Sequence, residues 1–383
     1  MAHKVYSDNT TKFFITVIGL VIIAIVLKEL SHIFIPLVIA VFLYFVFSPL
    51  NDFLMKKKVP GFLITILDLI LTGVVLYSAG RIIVDSLLQF TDGLPAYGNK
   101  LNSIVRDFAR EINIRDPFFR KFDLEQTIQR LDYKSLAGGI FSSTINLVGS
   151  VLFVLFFFVF VVSGEKTIYE AIKNYYVYRK VKPQVKKIKK SFLTSSNEKT
   201  DNIESELLKA RLDREKQLAE TFNTITNQIQ RYIIAKFSIN LIAGIITSLT
   251  LSLIGLDFPI VWGLLVFLFN FIPTIGSAIA LVLPVLFALV QFESTGSALL
   301  VALMMAFIQT IAFNLAEPMI IGRRLNLNPL LILLSVLIWG YIWGIVGMLI
   351  SVPTTAIIKI ILANSKSPYL KFLSNLMSQS QTS

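Results

Sequence analysis

Long apolar stretches alternate with polar, charge-rich ones along most of the chain. A helix needs about 20 apolar residues to cross a bilayer, with a range of roughly 17–25. The first run goes from Phe13 to Leu27, is broken by Lys28 and Glu29, and is followed by a second from Leu30 to Leu50. No small-x-small cleavage site follows the first run and the next begins almost at once, so the two are read as retained spans and not as a signal peptide. A third run, Phe62 to Ser78, predicts a helix that continues past Arg81 and Asp85, which share one face at i,i+4. A fourth span is predicted from Ile140 to Val162 and a fifth from Tyr232 to Ile254. Polar segments 87–138 and 164–231 precede them, the former with turns predicted at Asp92-Gly93 and Arg115-Asp116-Pro117. Within the latter, Leu208, Leu212, Leu218, Phe222, Ile225 and Ile229 recur at roughly helical spacing and predict a helix continuous with the fifth span.

The rest is nearly continuous apolar sequence with orderly breaks. Pro259 to Gln291 is interrupted by Asn270-Phe271-Ile272-Pro273-Thr274-Ile275-Gly276-Ser277; Ser297 to Leu315 is another span. Pro329 to Leu362 contains Gly340, Trp343, Gly344, Gly347 and Pro353. Each Pro-started run is too long for one span and short for two, which predicts a helical hairpin with a broken or re-entrant turn. Gly344, Gly347 and Pro353 are the breaks expected in the second. Pro273 lacks a backbone donor and Gly276 tolerates open geometry. Non-helical backbone survives at membrane depth only beside protein or a water-filled cavity, so the Asn270–Ser277 stretch is expected to line something. The chain reads as an all-α, polytopic integral membrane protein with about eight helical membrane segments. Its expected organisation is 1–86 (three membrane helices), 87–139 (extracytoplasmic), 140–163 (fourth membrane helix), 164–231 (cytoplasmic, helical), 232–363 (core) and 364–383 (cytoplasmic tail). The core divides into two span-plus-hairpin units of opposite orientation, an inverted repeat of the kind many secondary transporters use.

Composition agrees. The chain of 383 residues is 55% hydrophobic and 16% charged, with 31 Phe, against about 25% charged residues in soluble domains. The absence of cysteine removes disulfides, thiolate nucleophiles and Cys-held metals, and two histidines, His3 and His32, do not make a metal site. No cofactor is expected. The net charge of +12 is read as cytoplasmic loops enriched in Lys and Arg and not as a nucleic-acid surface, because no stretch mixes basic with exposed aromatic residues. Lys56-Lys57-Lys58, the acid-free basic run from Arg179 to Lys190, and Arg323-Arg324 all fall inside in one topology, with both termini cytoplasmic. The basic run is read either as lying on anionic headgroups or as a solvated loop. There is no G-x-x-x-x-G-K-[ST], G-x-S-x-G or H-E-x-x-H, so neither an ATP-driven pump nor a hydrolase is indicated.

Polar groups inside apolar spans are expensive and default to functional candidates. Glu317 leads: it ends the span containing Gln309-Thr310-Ile311-Ala312-Phe313-Asn314-Leu315-Ala316-Glu317-Pro318, where Gln309, Asn314 and Glu317 are expected along one side. Its carboxylate would bind a cation or carry a proton; the alternative is an interfacial residue offset by Arg323 or Arg324. Asn240, Asn270, Thr274, Ser277 and Gln309 are pathway candidates, although amides between membrane helices also serve simply as glue. Asp68 is expected to pair with another helix, and Arg81 with Asp85.

Four motifs in order resemble the AI-2E family of bacterial permeases, the autoinducer-2 exporters. They are Ile254-Gly255-Leu256-Asp257-Phe258-Pro259 with Trp262-Gly263; Ile272-Pro273-Thr274-Ile275-Gly276-Ser277; Glu317-Pro318 with Gly322 and Leu325-Asn326-Leu327-Asn328-Pro329; and Trp339-Gly340-Tyr341-Ile342-Trp343-Gly344-Ile345-Val346-Gly347-Met348 through Val352-Pro353. Ser48-Pro49-Leu50 and Leu94-Pro95-Ala96-Tyr97 are similar to the family as well. Two departures are Ser163-Gly164, where the family has an aspartate-glycine pair, and extra charged sequence around 183–215. The resemblance implies a secondary permease of the bacterial cytoplasmic membrane that moves a small polar solute or signal outward. Some relatives are described as sodium or lithium/proton antiporters. It also implies a homo-oligomer, with a pentamer as one form. A non-transport membrane scaffold is the third alternative.

Overall fold

The computed structural model describes residues 9–112, 149–164, 200–321, 327–365 and 367–378, with isolated positions 116, 167, 170 and 171. The described residues are almost entirely helical and contain no strand. Six stretches among them are long and apolar enough to cross a membrane. Helices α1 (Asn9–Glu29) and α2 (Ser31–Lys56) are joined by a corner at Leu30, and α3 runs from Gly61 to Glu111. The short α4 (Gly149–Gly164) packs Val154 and Phe158 against Ala40, Phe47 and Leu69 of this N-terminal hairpin. Residues 140–148 of the predicted fourth span lie outside the described residues.

The turn expected at Asp92-Gly93 does not form: α3 passes through it unbroken. A glycine inside a helix costs only about 1 kcal/mol. The continuing helix sets Tyr97 against Phe287, with ring centroids 5.2 Å apart, and carries Lys100 to the Gln291 carbonyl at 2.6 Å. The other expected turn falls beyond the helix end, almost wholly outside the described residues.

Helix α5 (Thr200–Ile254) is a single 55-residue rod joining the polar segment to the fifth span. It stops at Gly255, whose φ of 80° is available to glycine without strain. There the Leu256 amide reaches back to the Leu251 carbonyl (3.0 Å) and both leucines are buried, a Schellman ending with its hydrophobic contact. Pro259 then opens α6 (Pro259–Phe269) at a position where its missing N–H is not needed. Gly244 and Gly263 let α5 and α6 cross so closely that a β-carbon on either would meet the other's carbonyl oxygen.

The first hairpin is α6, a turn over 270–274, and α7 (Ile275–Phe292). At 11 residues α6 is about 16 Å long, well short of a bilayer's hydrocarbon core of about 30 Å. Helix α8 (Thr295–Gln309) opens under a Ser294 cap that accepts from the Ser297 amide. A π-helical turn (Thr310–Ala316) and the short α9 (Glu317–Ile321) follow.

The second hairpin is α10 (Pro329–Ala363), started by Asn328 capping the Leu330 amide. It reverses at Trp343 (φ −126°, ψ 16°) and Gly344 (φ 62°, ψ −144°). The fold-back brings Trp339 Nε1 within 3.3 Å of Thr355 Oγ1, sixteen positions that a straight helix would hold about 24 Å apart. Pro353 is not at the break: it is buried in helical backbone of the returning arm. Gly344 lies at the reversal, and Gly347 follows it in helical backbone, close against the Trp339 carbonyl. Helix α11 (Pro368–Leu376) docks back on the start of this hairpin, the Met377 carbonyl accepting from the Asn328 amide.

Candidate functional site

The two hairpins interlock. Ile272 at the tip of the first packs with Val336 and Val352 from the two arms of the second. Neither tip accepts a larger residue at its glycine: a β-carbon on Gly276 would collide with the Phe269 carbonyl oxygen, and one on Gly347 with that of Trp339. The predicted liners of the first tip are tied to their own backbone. Asn270 Nδ2 donates to the Val266 carbonyl (2.7 Å), Thr274 Oγ1 to that of Pro273 (2.7 Å), and Ser277 Oγ to that of Thr274 (3.1 Å). They shape the turn, and Thr274 holds a φ of 60° that side chains other than glycine seldom adopt.

A second group assembles where α5 meets α8, the π turn and α9. Lys236 Nζ donates to both oxygens of Glu317, at 2.8 and 2.7 Å. Its side chain is 5% exposed and that of Glu317 27%. The ammonium also lies 5.5 Å from the centre of the Phe313 ring, a favourable placement for a cation. Neither alternative partner foreseen for Glu317, Arg323 or Arg324, lies among the described residues. Moving along α5 from this pair, Asn240 is fully buried with neither amide atom hydrogen-bonded among the described residues, and Thr247 Oγ1 and Gln309 Nε2 are in the same condition. Buried polar atoms are rarely left without a partner, so this seam holds donor and acceptor capacity that the described residues do not use.

Asn314 does not join the group. The π turn is wider than an α turn, which alters the angular step between Gln309 and Glu317 and leaves Asn314 exposed while Gln309 is buried. Lys236 is the residue that sequence reasoning missed. The signal was present: it is a lone lysine inside the predicted fifth span. Lys359, buried in the second hairpin, carried the same signal.

Between this core and the N-terminal hairpin lies a cavity of about 560 Å³ whose wall, from residues such as Phe42, Val46, Phe237, Leu241, Phe267 and Ile350, is apolar except for Ser248. Beside it the two bodies pack directly, Phe42, Phe45 and Val46 of α2 lying against the cluster of Ile229, Tyr232 and Ile233 on α5.

The extended part of α3, beyond the span ending at Ser86, latches onto the core. The Tyr97 hydroxyl donates to Asp257 Oδ2 at 2.6 Å, and Lys100 pairs with Glu293 at 3.3 Å. Gln291 ties the same corner, accepting from the Asp257 amide and donating to the Gly255 carbonyl. Burial first, and then the hydrogen bond and charge of Asp257, push the Tyr97 hydroxyl from its usual 10 up to about 12. Because the folded value lies above the unfolded one, this contribution is whole below pH 10 and is lost as pH rises through about 12. Tyr97→Phe is expected to lower stability by about 1 kcal/mol at neutral pH. The gap between the two proteins should close above pH 10 in melting curves run from pH 8 to 12; a gap independent of pH would show that the hydroxyl bond is not what holds the latch.

Comparison with known proteins agrees with this architecture. The profile of the AI-2E family transporters matches residues 13–200 and 198–367. A Borreliella burgdorferi protein provisionally named for transport is 30% identical over 353 residues, covering 92% of this chain and 86% of its own. The AI-2 transport protein TqsA of Escherichia coli is 25% identical over 371 residues, 94% of each chain. A Haemophilus influenzae protein, also provisionally named for transport, is 26% identical over 362 residues, 94% of this chain and 95% of its own. A polytopic helical membrane protein, matched almost end to end by transporters, this chain belongs to the AI-2E transporter family.

Proposed function

We propose that the protein is a secondary permease of the bacterial cytoplasmic membrane that carries a small polar solute outward. The observation that carries this is the Lys236–Glu317 pair in a seam where the Asn240 amide and Gln309 Nε2 are buried and without a hydrogen-bond partner among the described residues. Such a seam offers both signs of charge and spare donors and acceptors to a polar solute. The two hairpins act as an inverted repeat and move together, α1 to α4 act as scaffold, and the apolar cavity is the slack that lets one shift against the other. Family relatives, TqsA among them by its name, support autoinducer-2 as the first solute to try. In the native assembly, lipid and further copies of the chain cover the exposed apolar faces of α1 and α5.

A monovalent cation/proton antiporter is the second reading, favoured because one ammonium alone, Lys236, neutralises Glu317 among the described residues. An alkali cation or a proton arriving at the carboxylate would compete with it. A pure scaffold is disfavoured, since two strained, close-packed hairpin tips inside the membrane serve no scaffolding purpose. Purified protein in proteoliposomes, loaded with autoinducer-2 or with a pH dye, separates these. Solute efflux without cation-dependent proton movement supports the permease; proton movement driven by sodium or lithium, with no efflux, moves the assignment to the antiporter. Neither signal would sink both.

A further inference from the structure

A second buried polar cluster lies in the scaffold, away from the seam. Asn51 is near the end of α2, and Asp68 and Thr72 sit one turn apart on the facing side of α3, at exposures of 8%, 0% and 2%. Asn51 Nδ2 donates to Asp68 Oδ2 at 2.9 Å, so Asp68 does pair with another helix, as its place in the third span suggested. That bond leaves three oxygens, Asp68 Oδ1, Asn51 Oδ1 and Thr72 Oγ1, each buried and without a hydrogen-bond partner among the described residues. No Lys, Arg or His pairs with Asp68 among those residues. Phe158 of α4, itself fully buried against Phe47 and Leu69, closes this hairpin from the side.

A carboxylate at membrane depth without a counter-charge is strongly disfavoured. Protonation would relieve the charge, and the Thr72 hydroxyl has a proton of its own to donate; a cation instead leaves the carboxylate ionised. A cation serves all three at once. Carboxylate, amide carbonyl and hydroxyl are hard oxygen donors, the set that suits alkali and alkaline-earth ions and not zinc or copper. One carboxylate neutralises one positive charge and would leave a divalent ion uncompensated. Pro49 on α2 leaves the Phe45 carbonyl without its helical donor, a further oxygen available to complete a shell, as is water.

We propose that Asp68, Asn51 and Thr72 form a binding site for a small monovalent cation within the α2–α3 hairpin, with sodium as the probe. The ion ties the two scaffold helices together and is separate from the Lys236–Glu317 seam. The site stands whether or not the permease reading does, because its test reads binding and not flux.

The test uses full-length protein purified in detergent, with radioactive sodium binding and melting temperature measured in sodium, lithium, potassium or choline chloride. Saturable sodium binding and a melting temperature higher in sodium and lithium than in choline are expected. Asp68→Asn, an amide of the same shape, should fold with the choline melting temperature of the wild type and lose both signals. Thr72→Val should weaken sodium binding about tenfold, the effect of losing one ligand's worth of about 1.4 kcal/mol, and Glu317→Gln should keep it. No sodium-dependent signal in the wild type, or one that survives Asp68→Asn, overturns the site. A signal lost in Glu317→Gln but kept in Asp68→Asn also overturns it and assigns the cation to the seam. Vesicles that transport solute while binding no sodium would reject this site and leave the permease reading intact.

Discussion

Glu317→Gln is expected to abolish flux and to lower the stability of the purified protein by about 3 kcal/mol. Removing one member of a buried ion pair costs about 3–5 kcal/mol, because the other charge is left buried alone. The lower end applies here, since the Glu317 side chain is 27% exposed and the bulk of the burial falls on Lys236. The double replacement Lys236→Met with Glu317→Gln removes both charges and should recover most of the stability without recovering flux. That contrast separates a packing role from a transport role. Melting temperature in detergent and efflux in proteoliposomes are the two readouts. Unimpaired efflux in the single variant, with assembly unchanged, would remove Glu317 from the pathway.

The second large effect is expected at a hairpin tip. Gly276→Ala adds one methyl where the Phe269 carbonyl oxygen already stands, and a backbone atom cannot swing aside as a side chain can. Overpacking of this kind costs about 1–3 kcal/mol, and the displaced tip would no longer fit against Val336 and Val352. Most of the flux should be lost. Gly19→Ala is the matched control: nothing lies within 4 Å of a β-carbon there, and alanine should be neutral or stabilise helix α1 by about 0.5–1 kcal/mol. If Gly276→Ala transports like the wild type, the tip is not a moving or lining part.

Much of this fold was legible because the bilayer imposes length and apolarity on every crossing. The second, third and fifth spans, the two hairpins and the continuity of the polar 200–231 segment into the fifth span followed from run lengths and from Gly and Pro placement, while of the fourth span only Gly149–Gly164 is described, as a shorter apolar helix. What went wrong had local causes. Asp92-Gly93 reads as a turn by residue type, yet Tyr97 and Lys100 gain more from docking on the core than the helix loses at one glycine. Pro353 reads as a break, but the reversal is set by the backbone of Trp343 and Gly344, ten and nine positions earlier. For the site, Glu317, Gln309 and Asn240 were visible as polar groups in apolar runs. Their grouping was not, because it depends on a π turn that no composition announces and on Lys236, supplied by a helix 81 positions away. Asn270, Thr274 and Ser277 looked like pathway residues for the same reason, polarity at membrane depth, and turned out to spend their hydrogen bonds on the tip itself.

Helix α5 is a stiff lever as well as a span. Fifty-five residues make a rod about 80 Å long, more than twice the thickness of the hydrocarbon core. Lys236 sits about two thirds of the way along it. A tilt of about 5° about that point would move the far N-terminal end of the rod by about 5 Å. In reverse, a load on that end would turn the rod at the level of the Lys236–Glu317 pair.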